Sequence, residues 1–274
     1  MSTTYPPPVA RLLELGEESF TSPWIDYLAL GLGPEHVPDL VRIATDRALN
    51  DMEEDERPEF WAPSHAWRAL GQLRAESAVE PLLELAGTLE DELFTEPELA
   101  IVFGMIGRGA IPPLARVLAD DSQTTPMHVL AVRGLDEVAT RDPSTRDEVV
   151  PLLVARVEKW EGNRDEVNAF LVDALVQMRV LEAVPLMEQA FAADRVDLLL
   201  RGDWEDVQMD LGLIEDRREY EGRLHGPVDA MTHEAFGPGA GGWTPPPNPP
   251  RTRDKPRKAK RKQQKESRRR NRRR

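Results

Sequence analysis

The sequence predicts an all-α fold, a right-handed α-solenoid of about five helical hairpins, and three observations carry that expectation. The first is residues 65–86, HAWRALGQLRAESAVEPLLELA, which read as a helix, a polar turn at Arg74–Ser77 and a second helix. Ala66, Ala69, Leu70 and Leu73 fall at helical spacing in the first half, and Val79, Leu82, Leu83, Leu85 and Ala86 form an apolar stripe in the second. The second is recurrence: leucines at 40, 82, 114, 152 and 186 occupy equivalent places, at steps of 42, 32, 38 and 34 residues. The third is that neither helix of a pair can bury its stripe alone, so each pair needs a neighbour.

The elements follow in order. Residues 1–8 are expected to be disordered, because Pro6-Pro7-Pro8 forbids a helix, and Val9–Glu18 to form a short capping helix. Residues 9–224 then make the helical body. First helices of the pairs end at Ala29-Leu30-Gly31, Ala69-Leu70-Gly71, Val102-Phe103-Gly104, Val132-Arg133-Gly134 and Val172-Asp173-Ala174. Gly71 and its equivalents suit close approach of a neighbouring helix. Second helices start around Pro38, Pro81, Pro112-Pro113, Pro151 and Pro185, since proline is harmless in a first turn. The acidic stretches Asn50–Glu59 and Glu90–Glu98 read as exposed loops between units, and Thr140–Glu148 as a lengthened turn inside the fourth. Leu99–Phe103 is apolar all round, as befits a doubly covered helix. Trp204, Val207 and Leu211, at i, i+3 and i+7, predict a terminal helix within a cap at 195–224. Residues 225–250 are a Gly/Pro-rich linker and 251–274 a disordered Lys/Arg-rich tail.

Composition narrows the chemistry. The 274 residues include no cysteine, which excludes disulfides, thiolate nucleophiles and cysteine-ligated metals. The N-terminus lacks a secretory pattern, and no window approaches about 20 uninterrupted apolar residues, so a cytoplasmic protein without membrane contact is expected. The net charge of −14 conceals a division. Residues 251–274 carry fifteen Lys/Arg against Asp254 and Glu266, a net of +13, which leaves −27 on residues 1–250.

The pattern A-x-x-A-L-G-x-L…A-V-x-P-L-L-x-L at 66–85 resembles the HEAT-like repeats first associated with phycobilisome lyases, over roughly residues 20–194. The resemblance implies an armadillo-like helical stack and says little of function, because such repeats serve adaptors, scaffolds and a few enzymes. Deoxyhypusine hydroxylase-like proteins of this architecture hold two irons on four His-Glu pairs. The equivalent dipeptides here are Ser64-His65, Pro97-Glu98, Met127-His128 and Val167-Asn168, with no complete pair, and no cofactor is expected.

Those second positions are nevertheless polar throughout. His65, Glu98, His128 and Asn168 are expected as a solvated rim or, with Trp67 and Arg68, as the lining of a surface that binds a protein or peptide. A metal site shared by His65, Glu98 and His128 conflicts with the about 8–10 Å between packed helices. Trp61, Trp67, Trp160 and Trp204 suit packing at repeat edges more than stacking on a partner. Gly104-Met105-Ile106-Gly107-Arg108-Gly109 lacks the Lys-Ser/Thr of a phosphate loop and reads as a turn between helices.

The sharpest chemical signal is Arg257, Lys258, Lys260, Arg261 and Lys262 together with Arg268, Arg269, Arg270, Arg272, Arg273 and Arg274. Such a run binds nucleic acid or ribosomes through phosphate contacts, or an acidic protein, or the chain's own acidic body; it also fits a solubilising or targeting extension. No aromatic residue lies in 251–274 to stack on bases. The expected function is a noncatalytic interaction scaffold or adaptor, with nucleic-acid association through the tail as the alternative and a HEAT-repeat enzyme as a remote one.

Overall fold

In the computed structural model, residues 5–17, 24–52, 57–88 and 95–215 are described. They belong to a compact unit, Met1–Asp229; a second unit, Ala230–Arg274, lies outside the described residues, as do residues 216–224 of the expected cap, the whole of the expected linker 225–250 and the basic tail. Among the described residues every regular element is helical. The helices are α1 (Val37–Ala44), α2 (Arg47–Asn50), α3 (Ala62–Gln72), α4 (Val79–Ala86), α5 (Thr95–Ile106) and α6 (Ile111–Ala119). Then come α7 (Thr125–Arg141), α8 (Arg146–Val157), α9 (Asp165–Gln177), α10 (Val184–Ala192), α11 (Leu198–Arg201) and α12 (Trp204–Asp210). No single helix among them is long and apolar enough to cross a membrane.

Contacts run from each long helix to the next: α3 packs on α5, α5 on α7 and α7 on α9, while α6 lies against α7 and α8 against α9. One hydrophobic core follows that row, with Leu40, Leu70, Leu82, Leu99, Phe103, Leu114, Leu135, Leu153, Leu171 and Leu175 sealed from solvent. Glycine permits the tightest seam. A methyl group on Gly104 of α5 would sit 2.6 Å from the Glu137 Cβ of α7, and one on Gly134 would meet the Leu114 side chain of α6 at 3.0 Å.

Several expectations change. Tyr5 is buried under the Arg42 guanidinium, 4.5 Å from its ring centre, so order begins before the proline run ends. The expected helix at Val9–Glu18 is a shorter 3-10 helix, Val9–Leu13. The first hairpin lacks a first helix among the described residues: Tyr27–Gly31 is only a turn, closed by Leu32 N–H on the Tyr27 carbonyl, with Gly31 at φ +90°. Thr140–Glu148 is not a long loop, because α7 runs to Arg141 and α8 begins at Arg146. Asp142 caps the short link by accepting from Ser144 N and Oγ at 3.1 and 2.6 Å. Pro151 therefore sits inside α8, on its solvent side. That earlier start places Leu153, four residues after Val149, in the core and leaves Leu152 half-buried; Met187 likewise replaces Leu186. Glu98 belongs to α5 and not to the preceding loop.

The helix ends share one closure. Ala75, Val180, Arg195 and Leu213 each donate a backbone N–H to a carbonyl five residues earlier, the bond that needs a left-handed residue just before the donor. Gly212 supplies it once, but Arg74 (φ 51°), Arg179 (φ 52°) and Asp194 (φ 57°) supply it at the other three. A side chain there opposes the backbone by about 1–2 kcal/mol, partly offset by the greater freedom of an unfolded glycine. Arg74 is exposed, so Arg74→Gly is expected to stabilise the protein by about 0.5–1 kcal/mol, read from urea unfolding midpoints.

Candidate interaction surface

The polar position near the start of each long helix points inward. His65 is 1% exposed and Asn168 is 0%, with Trp67, Arg68, Glu98 and His128 all buried too. The expected solvated rim and the expected partner-lining edge are both overturned. Burial leaves these groups only intramolecular partners, and they find them.

Each ties off a connection between elements. His65 Nε2 lies 2.8 Å from the Gly16 carbonyl, which only accepts, so Nε2 carries the proton and Nδ1 accepts from the Tyr27 hydroxyl at 2.7 Å. His128 Nε2 donates to the Asp120 carbonyl, eight residues earlier, at 2.9 Å. Asn168 Nδ2 donates to the Trp160 carbonyl, also eight residues earlier, at 3.0 Å, and to the Arg195 carbonyl at 2.7 Å. Its Oδ1 accepts from Asn163 Nδ2 at 2.8 Å. His128 and Asn168 thus do one job, an N–H that closes the loop leading into the helix, while His65 ties its helix to a segment 49 residues earlier.

Glu98 is the charged variant. Its Oε2 accepts from Trp67 Nε1 at 2.9 Å and Arg68 Nε at 3.2 Å, and its Oε1 accepts from Arg68 Nη2. The Arg68 guanidinium also lies 5.2 Å from the Trp24 ring centre. Burial lowers the pKa of His128, so its imidazole is neutral at pH 7. Among the described residues no three His, Asp or Glu side chains are grouped so as to hold a metal ion. His65, Glu98 and His128 serve separate connections.

Sequence reasoning passed over three features. Arg156 of α8 is buried, donating to the Leu118 carbonyl at 3.2 Å and Asp121 Oδ1 at 2.5 Å. Asp136 of α7 has a buried Oδ1 without a hydrogen-bond partner. Its pKa is pushed up to about 7 by burial first, then by the Asp173 and Glu137 carboxylates, with Arg133 opposing. A carboxylate immediately after Leu135 in an apolar helix was the available signal.

The third is a cleft of about 320 Å³ between α10 and the α11–α12 segment, lined by Phe191, Val196, Leu198 and Trp204 and edged by Glu188, Asp194 and Asp203. The Phe191 and Trp204 rings meet at 5.5 Å between centres. Val207 and Leu211 are buried, in keeping with the expected helix, and Trp204 is half-buried. The outer side is apolar as well: Leu198, Leu199, Leu200, Met209 and Leu213 are exposed, Leu199 by 68%. A second depression, of about 290 Å³, is lined by Arg164, Asp165, Glu166, Arg195 and Asp197, and its charges partly pair internally, Arg195 with Asp165 at 3.3 Å.

Two measurements test this account. Arg68→Met leaves the Glu98 carboxylate buried without its guanidinium and is expected to cost about 3–5 kcal/mol, whereas Arg68→Met with Glu98→Gln, which keeps an acceptor for Trp67, recovers most of it in chemical unfolding. Asp136 has a folded pKa above its unfolded one, so the native state binds the extra proton between about pH 4 and 7 and stability falls across that window as pH rises. Asp136→Asn is expected to flatten that slope and raise the melting temperature at pH 8 relative to wild type. Comparison with known proteins adds no assignment: no family model, no curated protein and no solved structure matches the chain.

Proposed function

We propose that the chain is a right-handed HEAT-like α-solenoid of about five hairpins that works as a noncatalytic scaffold or adaptor, holding a protein or peptide. The carrying observation is the apolar cleft and the exposed leucines beside it at the α10–α12 end. A group of large aliphatic side chains left in water is a feature that binding of a partner explains. The helix-to-helix contacts of α3, α5, α7 and α9, and the loop-closing bonds of His65, His128 and Asn168, support the repeat reading. They also assign to architecture the side chains that resembled a site.

Cross-linking in cells, followed by mass spectrometry, tests the reading. A partner cross-linked to the wild type and lost with Leu198→Ser and Leu199→Ser, in a protein that melts at the same temperature, is the expected result. Cross-linking unchanged by those substitutions counts against it.

A second reading rests on the +13 segment 251–274, which favours nucleic acid or ribosomes. It expects duplex binding that weakens steeply between 50 and 200 mM salt, in the manner of about 6–10 phosphate contacts, and that disappears when 251–274 is deleted. Equal binding by the shortened chain sinks it.

A further inference from the structure

The cleft carries more than a general role in binding. Its floor is aromatic and aliphatic, from Phe191, Val196, Leu198 and Trp204, and the ionisable side chains that line it are all acids. Glu188 and Asp194 stand exposed at the rim, and Asp203 caps α12, its Oδ1 accepting from Asp206 N at 3.1 Å. A phosphate or nucleic-acid ligand is repelled by such a rim. At about 320 Å³ the space is at the small end of ligand sites, which run from about 300 to 1,000 Å³, so it suits one bulky side chain and not a cofactor. The exposed Leu199 and Leu200 continue the apolar surface beyond the cleft, which favours an extended occupant over a compact one. The −27 on residues 1–250 adds a long-range attraction for a cation of any kind.

We infer that the occupant is a basic peptide segment of another protein, with one large apolar side chain seated in the cleft against the Phe191–Trp204 pair and flanking Lys or Arg side chains against Glu188 and Asp194. The inference rests on the scaffold reading above and names its partner class. The anchor supplies the buried area that dominates such contacts, and the flanking charges select against neutral and acidic sequences. Asp194 is also the left-handed residue that closes α10, so its carboxylate is held on a tightly bonded turn instead of a loose one.

The test uses the full chain and three labelled peptides of about twelve residues, read by fluorescence anisotropy. One has a central Leu-Trp flanked by Arg, one replaces Arg by Gln, and one replaces Leu-Trp by Ala-Ala. The first is expected to bind, and to lose about tenfold in affinity with Leu198→Ser and again with Glu188→Gln combined with Asp194→Asn. Asparagine tolerates the left-handed backbone, so the last change does not confound folding. Asp147→Lys, an equal charge change on exposed α8, is expected to leave binding nearly unchanged.

If the Gln-flanked peptide binds equally well, the basic partner is wrong while the scaffold reading stands. If the Ala-Ala peptide binds equally well, or Asp147→Lys acts as strongly as the rim changes, general attraction to an acidic protein replaces the inference. Self-association abolished by Leu198→Ser, without peptide binding, makes a second copy the occupant and overturns it. Peptide binding that emerges only when the Lys and Arg of 251–274 are changed to Gln overturns it in favour of the chain's own end. Indifference of every peptide to every cleft substitution removes this inference and the cleft-based scaffold reading together.

Discussion

The constraint on which the helical row depends is the need to satisfy backbone carbonyls in connections that lie against a core. A loop between packed helices carries acceptors partly shielded from water, and a buried one left unpaired costs about 1–3 kcal/mol. His128 and Asn168 meet that need with an N–H reaching back eight residues, and His65 does so across a longer span of chain. In α7 and α9 the bond ties the start of the helix to the loop before it, whereas Glu98 at the start of α5 instead accepts from Trp67 and Arg68 of α3. These ties accompany the apolar packing of α3, α5, α7 and α9.

Electrostatics divides the same way between interior and surface. The Arg68–Glu98 pair is buried and matched, with an indole N–H completing the carboxylate's contacts. Pairs such as Arg116–Glu80 are exposed and add little, as surface ion pairs do. Asp136 belongs to neither kind. It is a carboxyl group held where charge is disfavoured, between the carboxylates of its own helix and of α9.

Periodicity made the helices legible, while the partners of the polar residues were not. The apolar stripes of α3 and α4, the glycine-permitted approach at Gly104 and the turn at Gly107 all follow from local spacing. The inward direction of His65, Glu98, His128 and Asn168 does not, because one polar residue per unit reads equally as a wet edge or a dry staple. Their acceptors lie on segments whose proximity is a tertiary fact: Gly16 is 49 residues from His65, and the Arg195 carbonyl is 27 from Asn168. The register error at Leu152 has a related cause. Proline suits a helix start, but α8 begins five residues before Pro151, directly behind the Pro143–Thr145 turn that Asp142 caps, in a stretch that resembles a loop. The cleft is not legible in the sequence because Phe191 and Trp204 are 13 positions apart and belong to different helices.

The left-handed closures at Arg74, Arg179 and Asp194 have a kinetic meaning. Conformational strain of this sort exists only while the turn is formed, so it is released as soon as the adjoining helix end opens. The end of α5, where Gly107 takes φ +86°, holds no such reserve. Opening is therefore expected to be graded along the chain, with the C-terminal turns of α3, α9 and α10 exchanging their amide hydrogens before the centre does.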